Sequence, residues 1–140
     1  RRQSQMCIRD RTYRYPPPIM VLVDTSVWVG FLREGDPLLS DWLNEGAVLT
    51  HSMIIGELRL RNIAKRKQFL SLLENLPMSM HASDDEVTHL IEEDKLYGKG
   101  ISYVDAHLLA SSMLSAAPLW TLDKRLDAIS RKLKPGQPAR

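Results

Sequence analysis

The chain has little cysteine and no long apolar run. Its single cysteine is Cys7, so the body of the chain can build neither a disulfide framework nor a thiolate metal site. No stretch approaches the roughly 20 apolar residues that a membrane helix needs, and the leading residues lack the apolar core of a signal peptide. These absences predict a cytoplasmic protein that makes no use of a membrane.

A strong excess of one charge is also missing. The formal net charge is +2 over 140 residues, and five of the basic side chains lie in the first 18 residues, so the remainder is slightly acidic. Any affinity for nucleic acid must therefore come from local patches rather than from overall charge. With 44% hydrophobic and 26% charged residues, a chain of this length is expected to form one globular domain.

The first residues differ in character from the rest. Residues 1–18 are polar and rich in arginine, show no periodicity and end in three prolines, which favour an extended conformation. We predict a leader outside the domain, either disordered or not native, because Met20 opens the first apolar run. The domain is predicted to span residues 19–133, and residues 134–140 are expected to form a flexible tail.

Short apolar runs alternate with helical patterns from Ile19 onward. Strands are predicted at 19–23, 47–50 and 119–121, with a further candidate at 78–81, and helices fill the intervals. Capping signals support the helix starts, including Asp36-Pro37 and the box Ser83-Asp84-Asp85-Glu86. This alternation predicts an α/β fold, a three-layer α/β/α sandwich around a central, mostly parallel sheet.

Four acids fall at positions that matter in such a fold. Asp24 follows the first strand and Asp123 follows the last, at the edge where open parallel sheets bind ligands. Asp105 lies in the first turn of a helix, and Glu57 has mostly apolar neighbours. Because a buried carboxylate is costly unless paired, their convergence predicts a cation site, and oxygen ligands alone favour Mg²⁺ or Mn²⁺.

Each acid also has an ordinary structural explanation. Asp24 and Asp123 could be helix N-caps, and Asp105 could complete a capping box with Ser102. Glu57 could form a surface ion pair with Arg61 one helical turn away. Taken one at a time, the residues leave both interpretations open.

Four segments together resemble one known family. Val23-Asp24-Thr25-Ser26-Val27-Trp28, Ile55-Gly56-Glu57-Leu58, Tyr103-Val104-Asp105-Ala106-His107-Leu108-Leu109-Ala110 and Leu119-Trp120-Thr121-Leu122-Asp123-Lys124-Arg125-Leu126 are similar to the successive motifs of PIN domains, specifically of VapC-like toxins. The resemblance runs from about Met20 to Leu133 with all four motifs in family order. It implies a metal-dependent endoribonuclease in which Asp24, Glu57, Asp105 and Asp123 are the metal-binding catalytic acids.

The resemblance carries further expectations. Ser26 and Thr121 would orient carboxylates or water, RNA would be the substrate, and a small cognate antitoxin would cover the acidic cleft of a homodimeric toxin. Basic residues flanking the acids are candidates for RNA contacts, although a solvated helix face explains them equally well: Arg59, Arg61, Lys65, Lys124 and Arg125.

Two other functions fit the sequence less well. A catalytically silent PIN-like binding module would be expected to have lost one or more acids, whereas all four are present. A phosphoacceptor receiver-like domain would need an acid next to the first aspartate, and Asp24 has none. Both alternatives therefore rank below the nuclease.

Overall fold

Short strands alternate with helices through residues 20–133, which are the residues that the computed structural model describes. The strands are β1 (Val21–Val23), β2 (Val48–Leu49) and β3 (Leu119–Trp120). The helices are α1 (Thr25–Glu34), α2 (Pro37–Asn44), α3 (Ser52–Arg59), α4 (Arg66–Glu74), α5 (Asp84–Glu93), α6 (Tyr103–Leu114) and α7 (Lys124–Leu133). The predicted leader at 1–18 and the predicted tail at 134–140 lie outside the described residues.

The three strands form one parallel sheet with β1 in the middle. The order is β2-β1-β3, with Leu22 opposite Leu49 on one side and opposite Leu119 on the other. All three residues of β1 are fully buried, as expected for a central strand covered on both faces. The carboxyl ends of β1 and β3 therefore meet at one edge of the sheet.

The helices group into two sets, which gives the predicted three-layer sandwich. Contacts join α3 to α1 and α4, and α6 to α5 and α7, while α6 and α7 also contact β3. Trp28 of α1 is fully buried and makes edge-to-face contacts with Phe31 and Phe69. On the other side, Ala106 to Met113 of α6 are all buried, so this helix is enclosed. The predicted fold class is confirmed.

Local signals account for several helix starts. Asp36 accepts hydrogen bonds from the backbone N–H groups of Leu38 and Leu39, with Pro37 in the first turn. Ser83 and Glu86 form the predicted capping box of α5. His51 caps α3 through its ring, because Nδ1 accepts from Met53 N at 3.0 Å.

Two predicted boundaries differ from the structure. The helix expected to reach Asn62 ends at Arg59, where Leu60 and Arg61 turn back with shorter-range backbone hydrogen bonds to Glu57 and Leu58. The strand considered at 78–81 is reduced to a single parallel bridge between Thr50 and Met78. That bridge directly follows β2 and is held by hydrogen bonds from Thr50 N to the carbonyl of Pro77 and from Ser79 N to the carbonyl of Thr50.

Candidate metal centre and nucleic-acid cleft

Asp24 is held at the end of β1 by two hydroxyl groups. Ser26 Oγ and Thr121 Oγ1 each donate to Asp24 Oδ2 at 2.8 Å, and the side chain is nearly buried, with 7% of the residue exposed. Although Asp24 stands at the N-cap position of α1, its side chain makes no capping hydrogen bond. The N-cap explanation of this acid is therefore wrong.

The two hydroxyls are themselves fixed by the loop after β3. Leu122 N donates to Ser26 Oγ at 2.9 Å, and Asp123 N donates to Thr121 Oγ1 at 3.1 Å. Asp24 N also donates to the carbonyl of Trp120. These bonds tie the end of β1 to the segment that carries Asp123, so the first and last acids are placed by one small network.

Glu57 reaches this region from α3. Thr25 Oγ1 donates to Glu57 Oε1 at 2.6 Å, which links the glutamate to the residue that follows Asp24. The sequence did not indicate this role of Thr25, because a threonine in the first turn of a helix has many other uses. The surface ion pair considered between Glu57 and Arg61 is absent from the described residues.

Asp105 and Asp123 both support helix ends. Asp105 Oδ2 accepts from Ser102 N at 3.0 Å and completes the capping box of α6. Asp123 Oδ1 accepts from Arg125 N at 2.9 Å and from Leu126 N at 3.1 Å at the start of α7. The structural explanations of these two acids are therefore satisfied, yet neither uses the whole carboxylate.

One pattern is common to the four acids. Within residues 20–133, each carboxylate accepts hydrogen bonds through one oxygen only, and the second oxygen has no hydrogen-bond partner. The atoms without a partner are Asp24 Oδ1, Glu57 Oε2, Asp105 Oδ1 and Asp123 Oδ2. Each acid is thus oriented by the chain and keeps one oxygen for another ligand.

The charges of two acids affect the pKa of a third. Burial raises the pKa of Asp105, and the negative charges of Asp24 and Asp123 raise it further, against the opposing effect of the hydrogen bonds from Ser102. Repulsion of this kind requires carboxylates that are close in space. A bound cation would relieve it.

Three of the acids line one open cleft of about 630 Å³, namely Asp24, Glu57 and Asp105. One side of α1 forms a wall through Thr25, Val29 and Arg33, which recur at the spacing of neighbours on a helix surface. Asp123 does not line the cleft. Arg33 was not predicted as a residue of this cleft, because the sequence did not indicate which side of α1 faces the acids.

Two exposed leucines complete the rim. Leu60 is 90% exposed and Leu122 is 53% exposed, and both line the cleft.

Among residues 20–133, no three acidic, histidine or cysteine side chains are close enough to form a metal-binding group by themselves. A cation at this site would therefore need oxygen ligands from water or substrate as well.

The predicted RNA-binding residues occupy different environments. Arg59 is ion-paired with Glu74 of α4, whereas Arg61 lines the cleft. Arg125 lies against Gly100, where φ is +79° and an added Cβ would collide with the guanidinium. Lys65 precedes α4 and Lys124 opens α7, both exposed and outside the residues that line the cleft.

Comparison with known proteins identifies the family of this chain. The PIN domain family matches residues 21–132, and the chain belongs to that family. This confirms the predicted resemblance and excludes the receiver-like domain. No helix among residues 20–133 is long and apolar enough to span a membrane.

One curated relative and one solved structure are similar to most of this chain. The chain is 43% identical over 110 residues to Ribonuclease VapC32 of Mycobacterium tuberculosis, in strains CDC 1551 / Oshkosh and ATCC 25618 / H37Rv, and the match covers 78% of this chain and 89% of the relative. PAE2754 from Pyrobaculum aerophilum has a similar solved structure, with a TM-score of 0.56, 18% identity and 88% of both chains covered. The last likeness concerns the fold alone.

Proposed function

We propose that this protein is a divalent-metal-dependent endoribonuclease and the toxin of a toxin-antitoxin pair. The observation that carries the proposal is the arrangement of the four acids, each anchored through one oxygen with the other left for a ligand. Membership of the PIN domain family and the identity to Ribonuclease VapC32 support the same activity.

The chemistry of the donors favours Mg²⁺, with Mn²⁺ as a substitute. The side chains that would hold the ion are Asp24, Glu57, Asp105 and Asp123, and they offer only carboxylate oxygens. Mg²⁺ is commonly bound by one or two carboxylates together with water and substrate phosphate oxygens. No three of these side chains are close enough to bind an ion by themselves, which is consistent with this preference of Mg²⁺.

When bound, the metal ion would supply positive charge beside the scissile phosphate and lower the pKa of a water molecule. The chain's own residues have separate tasks. Ser26 and Thr121 hold the Asp24 carboxylate, and Thr25 holds that of Glu57, so that these groups need no reorganisation when substrate arrives.

The direct test is RNA cleavage by the purified full chain, freed of any antitoxin, in Mg²⁺ or Mn²⁺. The variants are Asp24→Asn and Asp105→Asn, which keep side chains able to accept the observed hydrogen bonds but remove the charge. Asp85→Asn, in the exposed first turn of α5, is the charge-matched control. Cleavage that disappears with chelator and in both site variants, and persists in the control, supports the proposal.

Intact RNA under all conditions, or equal cleavage by the site variants, would overturn it. A catalytically silent binding module would then be the better description, provided that the chain still binds RNA. Time courses with structured and single-stranded RNAs together cover both kinds of target.

The toxin role makes a separate prediction in cells, where we propose a cytoplasmic location. Induced expression of the wild-type chain should arrest growth, whereas Asp24→Asn should not. A small antitoxin that covers the cleft would restore growth on coexpression. Growth unaffected by an active nuclease would contradict the toxin role.

We also propose that the chain forms a homodimer. Met78 and Met80 are exposed beside the last bridge of the sheet, which gives the partner an apolar surface. Light scattering should report twice the monomer mass, and Met80→Asp should reduce it. A monomeric mass for the wild-type chain at micromolar concentration would contradict the dimer.

A further inference from the structure

A second groove opens beside the acidic cleft. It lies between α1 and the segment 61–64 that follows α3, and its volume is about 270 Å³. Val29, Leu32 and Ile63 supply apolar lining, and Asn62 and two arginines supply polar lining in equal measure. We call it the lateral groove. Val29, Arg33 and Arg61 line both spaces, so the groove and the cleft form one continuous surface.

The two arginines at the junction are available for a ligand. Neither Arg33 nor Arg61 has an ion-pair partner within residues 20–133, in contrast to Arg59 with Glu74 and Arg131 with Asp127. Both stand near helix C-termini, where a positive charge is favourable in itself. That effect accounts for the charge but not for the position of both side chains at the boundary between the acidic cleft and the lateral groove.

The composition of the groove fits one unpaired nucleotide. A nucleotide has a charged phosphate, which cations bind, and a base whose flat face packs on apolar surface. An amide side chain can form hydrogen bonds with the edge of that base. Single-stranded RNA is commonly recognised through bases splayed out of their stacks and through contacts with arginine. A base held in a double helix could not enter a groove of this size, because its edge and both faces are occupied.

On these grounds, and resting on the proposed nuclease function, we infer that the lateral groove is a nucleotide-binding subsite next to the point of cleavage. Arg33 and Arg61 bind the phosphates, the base lies against Val29, Leu32 and Ile63, and Asn62 contacts its edge. The subsite selects RNA that is unpaired on this side of the scissile phosphate. It would also contribute to sequence preference through Asn62.

The test measures binding without cleavage. Asp24→Asn is the background, chelator is present, and the probes are a fluorescein-labelled single-stranded RNA of mixed sequence and a duplex of the same length. Arg33→Ala and Arg61→Ala should each weaken single-strand binding by about tenfold and reduce the salt-dependence slope by about one. Arg131→Ala removes the same charge from the far end of α7 and should leave both quantities unchanged.

A second variant tests the groove itself. Ala64→Leu adds volume to the lining and should weaken binding of the single strand while leaving the salt slope unchanged, because no charge is lost. Thermal unfolding of each variant establishes that it is folded. Binding by the arginine and Ala64 variants equal to that of Arg131→Ala would overturn the subsite and leave the groove to another occupant, such as a protein segment.

The outcomes separate this inference from the proposed function. Cleavage by the wild-type chain, with normal binding by the groove variants, refutes the subsite and leaves the nuclease standing. Weakened binding by the groove variants, with no cleavage by the wild-type chain, supports nucleotide binding in the lateral groove and refutes the nuclease.

Discussion

Thr121 has a larger effect on the candidate site than its size suggests. Its hydroxyl donates to the buried carboxylate of Asp24 and accepts from the backbone of Asp123, so one oxygen connects the first acid to the last. A group that orients a metal ligand in this way commonly changes activity by roughly 10- to 100-fold when it is removed.

We therefore expect Thr121→Val to lower RNA cleavage by roughly 10- to 100-fold, because Asp24 loses a donor while the shape of the side chain is kept. The matched control is Thr50→Val. Thr50 is equally buried, and its hydroxyl has no partner within residues 20–133, so this change should leave cleavage intact and stability equal or higher. Initial cleavage rates and thermal unfolding of both variants provide the measurement. Equal rates would show that Thr121 does not position Asp24.

Two helices of this protein, α5 and α6, begin with a capping box, but the two boxes differ in their relation to the site. Ser83 and Glu86 cap α5, and Ser102 and Asp105 cap α6. Only the second box includes an acid of the cleft. The pair therefore separates the stability that a cap contributes from the positioning of a carboxylate.

Ser83→Ala and Ser102→Ala should each lower the free energy of unfolding by about 1 kcal/mol. Only Ser102→Ala should also lower cleavage, by severalfold, because fraying of α6 loosens Asp105. Urea unfolding and initial rates, both measured at saturating Mg²⁺, test the comparison. A similar loss of cleavage in the two variants would assign the effect to general destabilisation.

The cap of α3 responds to acid. His51 is buried, and burial together with the charges of His81 and His107 lowers its pKa to about 4. Its Nδ1 accepts from Met53 N, so the capping bond requires that nitrogen to be unprotonated. The unfolded chain takes up the proton near pH 6.5 and the folded chain does so only near pH 4, which favours unfolding as the pH falls between these values.

We expect this histidine to lower the free energy of unfolding by up to about 3 kcal/mol as the pH falls from 6.5 to 4. In His51→Asn, which keeps a side chain able to cap the helix, the loss over the same interval should be smaller by that amount. Carboxylates titrate in both proteins and cancel in the comparison. Urea unfolding at a series of pH values would detect the difference, and identical pH profiles would contradict the role of His51.

At the scale of the whole molecule, the site destabilises the protein that carries it. Burial and the negative charges of Asp24 and Asp123 raise the pKa of Asp105, so keeping its carboxylate ionised in the folded chain costs free energy. A ligand that binds only the folded chain stabilises it by mass action, by about 2.7 kcal/mol at a hundred times its dissociation constant. Neutralising one acid should have part of the same effect.

We expect Mg²⁺ to raise the melting temperature by several degrees and a chelator to reverse the change. Asp105→Asn should be more stable than the wild-type chain in chelator, and it should gain less from Mg²⁺. Scanning calorimetry in a Ca²⁺-free buffer of low ionic strength provides the measurement, and Asp85→Asn is the control. A melting temperature independent of Mg²⁺ in the wild-type chain would argue against a shared cation site.

The sequence was sufficient for the architecture because alternating strands and helices leave few arrangements. It also predicted that Asp24 and Asp123 would lie near one edge of the sheet, since they follow strands that lie side by side. It could not reveal that Thr25 would hold Glu57, or that Arg59 would pair with Glu74 while Arg61 faced the cleft. Those differences arise from α3 ending at Arg59, which depends on tertiary packing rather than on a local signal.

The hydrogen bond between Thr121 and Asp24 joins residues 97 positions apart. During translation, Asp24, Glu57 and Asp105 leave the ribosome before β3, the strand that completes pairing of β1 and brings Thr121 to its place. Domains fold as units once their elements are available, so a nascent chain of this protein would emerge without an assembled cleft. A nuclease built in this order would lack an assembled cleft beside the ribosomal and messenger RNA that surround it until β3 has been synthesised.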